Sequence, residues 1–332
     1  MEFGPVPTQN AHGAILAHSV QVAGQRLRKG VILQQPQIDQ LVAAGEYEVT
    51  VARLDAEDVH EDDAALRLAQ ALVPDEAAAH LTLGPVGTGR CNIFASAPGV
   101  VEIDADAINT LNAIHPMITV STVPQLHRMG QGGMVATVKI ISYGVPEQAL
   151  EKTQVAGRSA LRLAVASLRR ASFIETVLAS PLASKGEAAI RDRVEALGAE
   201  MDTPIQCAHD VSALAAALKR ADGDVILILT ASATSDLRDT APEAVRRAGG
   251  SVAHFGMPVD PGNLLFIGEL GGRPVIGMPG CARSPALNGA DWVLERVICG
   301  VQVRPEDIMG MGVGGLLKEI PTRPHPRNPK RS

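Results

Sequence analysis

Residues Gly223 to Gly250 read GDVILILTASATSDLRDTAPEAVRRAGG, and this stretch constrains the fold more than any other. Val225 to Leu229 is an unbroken apolar run whose length and branched side chains suit a strand buried on both faces. Small and hydroxylated residues follow: Thr230, Ala231, Ser232, Ala233, Thr234 and Ser235. Asp236 and Asp239 come next, and Pro242 and Glu243 open a helical pattern that stops at Gly249 and Gly250. Strand, small-residue loop, acidic pair and helix together are the grammar of an α/β ligand site. Anionic groups there sit on backbone N–H groups beyond the carboxyl ends of the strands. An ordinary strand-to-helix connection reads the same way, so the stretch alone leaves both possibilities open.

Composition narrows the class. The 332 residues are enough for two or three domains. Hydrophobic residues make up 46% and charged residues 20%, as in a soluble globular chain. A net charge of −6 and only 2% aromatics argue against nucleic-acid binding. No apolar run approaches the roughly 18 residues that span a bilayer. The first residues, MEFGPVPTQN, lack the basic and apolar regions of a secretory signal, so a cytoplasmic location is expected. Cys91, Cys207, Cys281 and Cys299 form no CxxC pair and are expected to be reduced thiols.

Taken in order, the chain divides into a small β-rich module over 1–60, an α+β middle domain over 61–160, an α/β domain over 161–304 and a C-terminal segment over 305–332. In the first module, Gln37 to Ala43 has helical spacing and Tyr47 to Val51 alternates as a strand. His12 and His18 have no third partner nearby and read as surface or packing residues. Residues 55 to 63, DAEDVHEDD, fit either a divalent-metal cluster with His60 or the acidic first turn of an Ala64 to Val73 helix capped by Asp62 or Asp63. The middle domain offers strands near Cys91 to Ser96, Met117 to Val123 and Met134 to Tyr143, and a helix behind Asp104. Gly130, Gly132 and Gly133 form a loop that suits close approach of a ligand and equally suits a tight turn. Glu147 to Arg170 reads as helix.

In the last domain, strands alternate with helices, which predicts a mostly parallel sheet covered on both faces. Asp210 and Ser212 are placed to cap a helix over Ala213 to Ala221. Ser180 to Gly186 reads as a loop, and Lys318 to Ser332 as a disordered basic tail. Three loops of this domain should converge at one sheet edge: Thr230 to Asp239, Val259 to Asn263 and Pro279 to Ser284. They offer N–H groups, hydroxyls, the cation Arg283 and several carboxylates, a mixture that suits a phosphorylated polar ligand with Mg²⁺. No Walker A, no GxGxxG after a strand and no Ser-His-Asp arrangement is legible.

LTASATSDLRDTAPEA (Leu229 to Ala244) resembles the loop of molybdenum-cofactor biosynthesis proteins, Thr-Gly-Gly-Thr-Gly, then Arg-Asp, then Thr-Pro-Asp/Glu-Ala. HFGMPVDPGNLLFIGELGGRPVIGMPGCARSPA (His254 to Ala286) resembles that family's second signature, Lys-Pro-Gly-Lys-Pro, a strand and Pro-Gly-Asn-Pro-x-Ser. Arg28 to Arg53 is similar to the segment that precedes this domain in molybdopterin molybdotransferases. The resemblance implies a three-layer α/β/α domain that binds molybdopterin or adenylyl-molybdopterin. By position, Asp239 and Asp210 match aspartates that support Mg²⁺-dependent chemistry, as catalytic residues and metal ligands. Thr230, Ala231, Ser232, Ala233, Thr234, Ser235 and Asp236 would cradle the pterin phosphate. Asp260, Pro261, Gly262 and Asn263, with Pro279, Gly280, Cys281, Arg283 and Ser284, would wall the site. The chain departs from the pattern at the loop glycines, which are Ala231, Ser232 and Thr234, and at the two lysines, which are Asp260 and Asn263.

Three functions follow from the resemblance. One is a Mg-dependent molybdotransferase or adenylyltransferase acting on molybdopterin with ATP. The second is a non-catalytic cofactor carrier that serves a molybdoenzyme. The third is a nucleotide pyrophosphatase or deamidase of the competence-damage type, which shares the element at Arg238, Asp239 and Pro242. Relatives are dimers or trimers, so a homo-oligomer is expected.

Overall fold

The computed structural model describes residues 1–22, 24–178 and 186–317. The tail from Lys318 to Ser332 and all of the Ser180–Gly186 loop but Gly186 lie outside the described residues. The protein is mixed α/β, and its chain splits into two compact units. One is Met1–Ala97 with Val101–Leu163, and the other is Pro98–Val100 with Ala164–Ser332.

In the first unit, Glu48–Arg53 pairs antiparallel with Glu2–Pro7 on one side and Ile15–Leu16 on the other. The helix Gln35–Ala43 lays Ile38 and Leu41 onto the resulting core with Leu16, Leu33, Val49 and Val51. A second antiparallel sheet runs Ile118–Thr122, Met134–Ile140, Arg90–Ala95 and Leu81–Leu83 in spatial order. The helix Glu61–Leu72 packs on its two middle strands, with Ala64, Ala65, Leu68, Ala69 and Leu72 buried.

Two sequence expectations change here. The helix expected from Ala64 begins at Glu61, and its cap is His60, whose Nδ1 accepts the Asp62 N–H at 3.3 Å. A histidine is not among the residues that signal a cap by type. The helix expected over Glu147 to Arg170 ends at Ala156, and a strand follows at Leu161–Val165. Gly157 closes the helix with its N–H on the Thr153 carbonyl at 2.9 Å. After it the burial period becomes two, with Leu161 and Leu163 inside and Arg162 outside.

The second unit holds a seven-stranded sheet among the described residues. Arg170–Val177 pairs in parallel with Glu200–Met201, Ile205–Ala208 and Val225–Leu229. Val225–Leu229 pairs in parallel with Arg273–Met278 on its other side. All five residues of Val225–Leu229 are buried, as the unbroken apolar run requires. Phe266–Leu270 is antiparallel to both Arg273–Met278 and Ser251–Phe255. Ser251–Phe255, Phe266–Leu270 and Arg273–Met278 therefore follow one another with no α-helix between them. Gly271 and Gly272, at φ 60 and 77, make the two-residue hairpin that replaces a crossover. The dipeptide between two apolar runs is the signal for it.

Ile174, Ile226, Ile228 and Val275 face a core with Leu214 and Leu218 of the helix Val211–Leu218 and Ala241 and Val245 of the helix Thr240–Arg247. The alternate residues Phe173, Leu227 and Ile276 are also fully buried, so both faces of the central strands are covered. Five strands point the same way, and the chain leaves by one edge after Val177, Ala208, Leu229 and Met278. The 256–265 loop joins them there, because Ser251–Phe255 runs parallel to Arg273–Met278.

Gly277 pairs directly with Phe266, and a Cβ at Gly277 would collide with the Phe266 ring. The aromatic ring fills the space that a side chain at Gly277 would need. Gly277→Ala should lower stability by about 1–3 kcal/mol, the usual cost of overpacking a core. Urea unfolding checks this through the transition midpoint.

Candidate functional site

The loop that follows Val225–Leu229 is held from both sides of the sheet. Glu175 and Thr176 are consecutive on the neighbouring strand, so their side chains leave on opposite faces. Thr176 Oγ accepts the Ala231 N–H at 2.9 Å, and the same hydroxyl meets His209 Nδ1 at 2.9 Å. On the other face, Arg283 reaches Glu175 Oε1 from Nη1 at 2.7 Å and donates to the Thr230 carbonyl from Nη2 at 2.7 Å. Thr230 and Thr234 are buried, and their hydroxyls approach to 3.4 Å. Glu175 is only 4% exposed, and among the described residues its Oε2 has no hydrogen-bond partner.

Beyond these two anchors the loop opens. Among the described residues, no group accepts a hydrogen bond from the N–H of Ser232, Ala233 or Thr234. Ser232 and Ala233 are exposed. No residue from Thr230 to Asp239 has a positive φ. Ala231, Ser232 and Thr234 are therefore unstrained here.

Two carboxylates close the site on the helix side. Asp210 caps Val211–Leu218, with Oδ1 accepting the Ser212 and Ala213 N–H groups at 3.0 and 2.9 Å. Asp239 caps Thr240–Arg247; it accepts the Ser235 N–H at 2.9 Å and the Thr240 N–H at 2.6 Å. The Ser235 N–H, helped by Thr240 and the charge of His209, holds the Asp239 carboxyl below its usual range against the cost of burial. These helices are neighbours, so both aspartates stand at adjacent helix starts on one sheet edge. Asp236 accepts the Arg238 N–H at 2.7 Å and stays exposed. Among the described residues no group of three or more His, Cys, Asp or Glu is placed to hold a metal ion. Mg²⁺ usually takes one or two carboxylates and completes its shell with phosphate oxygens and water.

The other two expected loops serve packing as well as the edge. Pro261 and Gly262 are buried against the start of the helix Gly289–Ile298. The Gly289 N–H donates to the Pro261 carbonyl at 2.7 Å, and a Cβ at Gly262 (φ 141) would stand 2.7 Å from the Gly289 nitrogen. Asp260 pairs through its backbone with Gly315 and Leu317, and the Asn263 amide donates to the Met257 carbonyl at 3.3 Å. The described residues show no hydrogen bond from this loop to 230–239. Pro279 leads into the turn Gly280–Arg283, which carries Cys281 and places Arg283, while Ser284 is exposed.

Four residues of the site carry no family motif. Glu175, Thr176 and His209 are described above. The fourth is Arg193, which is 8% exposed, pairs with buried Asp291, and donates to the carbonyls of Ala282, Ser284 and Ala286 at 3.1, 2.7 and 3.1 Å. One guanidinium thus shapes the whole 282–286 segment. Arg193 lies on the helix face of Ala189, Ile190 and Val194, and Glu175 lies inside an apolar strand. A charge in an apolar stripe was the available signal in both cases.

The acidic run 55–63 is used internally. Asp58 pairs with the Met1 amine at 2.7 Å, Asp62 accepts the Gly89 N–H at 2.6 Å, and Glu61 stands 3.9 Å from Lys139. None of the four cysteines forms a disulfide. Among the described residues no helix is long and apolar enough to cross a membrane.

Residues 5–53 match a family described as a domain of unknown function (DUF8806). No curated protein matches the sequence. Among solved structures, a molybdopterin biosynthesis moea protein from Pyrococcus horikosii is similar at 14% identity and a TM-score of 0.33, covering 92% of this chain and 76% of that one. A molybdenum cofactor biosynthesis protein B is similar at 14% identity and a TM-score of 0.30, covering 41% and 96%. A molybdenum cofactor biosynthesis protein from Pyrococcus furiosus gives 13% and 0.24, covering 93% and 65%. Similarity at this level assigns neither a family nor an activity to the chain.

Arg193→Met should lower stability by about 3–5 kcal/mol, because it leaves the Asp291 charge buried without its partner. Thermal and urea unfolding read the loss. Asp239 contributes stability that is full above the ordinary carboxylate pKa and fades as pH falls through its depressed folded value. Asp239→Asn should therefore weaken the acid dependence of unfolding, because asparagine caps a helix about as well as aspartate but does not titrate. A pH series of unfolding midpoints compares the two proteins.

Proposed function

We propose that the second unit is a three-layer α/β/α domain that binds a phosphorylated pterin of the molybdopterin type and serves molybdenum-cofactor biosynthesis. The observation that carries this reading is the run of open N–H groups at Ser232, Ala233 and Thr234, directly beyond the buried strand Val225–Leu229. Such groups at a strand's carboxyl end favour a phosphate. Arg283 adds a cation beside them, anchored on Glu175 and Thr230. The two signatures that resemble the molybdenum-cofactor family fall on the loops that meet at this edge.

Transfer chemistry would use Asp210 and Asp239 to hold Mg²⁺ against the ligand's phosphate, with catalysis by positioning and charge neutralisation. The carrier reading is favoured by the second loop. Asp260 and Asn263 stand where the family has lysines, and Pro261 and Gly262 are buried in packing.

Calorimetric titration of the full chain with molybdopterin tests the binding. Saturable binding is expected, and Ser232→Pro should weaken it at least about tenfold by removing one N–H donor to a charged group. No binding by the unaltered protein overturns the proposal. Adenylyl-molybdopterin formed from ATP and Mg²⁺, or active cofactor formed with molybdate, distinguishes a catalyst from a carrier.

A further inference from the structure

Among the described residues at this edge, Glu175 carries a buried side-chain oxygen whose bonding the fold leaves incomplete. Its carboxylate is buried, its Oε1 is taken by Arg283, and its Oε2 has no partner among the described residues. A buried acceptor of this kind is costly unless something completes it. Nothing in the packing of the strand requires a carboxylate here, since the preceding residues Phe173 and Ile174 are apolar and fully buried.

Arg283 is the cover over this carboxylate. Its side chain is 30% exposed and also packs against Gly186, so it borders both the buried acid and solvent. A guanidinium presents parallel N–H donors in one plane. The edge of a 2-amino-4-oxopyrimidine ring, with its ring N3–H beside the 2-amino group, presents the same pattern. Glu175 is therefore matched to a ligand group that looks, from the carboxylate, like the arginine already on it. The open N–H groups of Ser232 to Thr234 follow the Thr230 carbonyl, on which Arg283 also rests, so anion and ring positions adjoin through one side chain.

We infer that Glu175 reads the amino-heterocycle edge of the ligand: an exocyclic amino N–H completes Glu175 Oε2, and Arg283 shifts from the carboxylate towards the ligand's anionic group. The inference rests on the phosphate-binding reading above and adds a requirement for a ring amino group. No covalent step is involved. Glu175 is a specificity residue, and Arg283 is both its partner in the free protein and an anion contact in the complex.

Pterin and lumazine separate the possibilities, since lumazine carries a carbonyl oxygen where pterin has its 2-amino group. Fluorescence titration of the full chain should show pterin binding at least about tenfold tighter than lumazine, the ratio expected for one hydrogen bond to a buried carboxylate set against carbonyl repulsion. Glu175→Gln should bring the ratio close to one while unfolding at a midpoint that shows an intact fold. Arg283→Met should tighten pterin by removing its competitor and weaken molybdopterin by removing its cation. Equal binding of pterin and lumazine by the unaltered protein overturns the inference, and needs no variant to fold. A preference that survives in Glu175→Gln overturns it too. If molybdopterin still binds in either case, only the role of Glu175 falls; if molybdopterin does not bind, the parent reading falls with it.

Discussion

Arg283 ties together the ends of three parallel strands. It sits on the turn after Arg273–Met278, bonds the backbone carbonyl that ends Val225–Leu229, and pairs with Glu175 on Arg170–Val177. The opposite face contributes a single neutral bond, from Ala231 N–H to Thr176. Two consecutive backbone groups, the Thr230 carbonyl and the Ala231 N–H, are therefore fixed from opposite sides of the sheet. The loop leaves its strand in one direction, and the following N–H groups stay unclaimed by the described residues. Anchoring of this kind replaces conformational freedom as the means of shaping the loop, which is why it needs no glycine and no left-handed residue.

A second arginine, this one buried, does comparable work one layer away. Arg193 is surrounded by carbonyl oxygens and by Asp291, so its five donors are used almost entirely on the protein. The 282–286 segment has little regular structure of its own, and the guanidinium substitutes for it. Arg283 is placed by that segment. The site thus depends on one buried ion pair for the position of another. Taking either charge away leaves its partner in a medium that solvates it poorly.

Local patterns carried much of the secondary structure. The run Val225–Leu229 is the fully buried strand its composition requires, and Asp104 and Asp210 cap the helices they precede. The missed elements have local causes too. His60 caps by an unusual side chain, the Gly271–Gly272 hairpin breaks an otherwise alternating series, and the strand after Gly157 is short enough to be absorbed into a helical reading of an Ala- and Arg-rich stretch. Each of these was written in neighbouring residues, in a form that general propensities weigh lightly.

The site itself divides differently. The sequence alone determined that a small-residue loop follows a buried strand, that aspartates stand at Asp210 and Asp239, and that an arginine follows Pro279 and Gly280. Only the tertiary structure decided what Arg283 is for. Its partner Glu175 lies 108 residues away, and Arg193 and Asp291 are 98 apart. Thr176 and His209 are 33 apart and meet because their strands are parallel neighbours. Such pairings depend on strand order and register across the sheet, which arise when the whole core is buried at once. No periodicity within a strand encodes which residue will stand beside it. The chain therefore announced the loop, and the packing of strands far apart in sequence supplied the acid, the cation and the anchors that give the loop its chemistry.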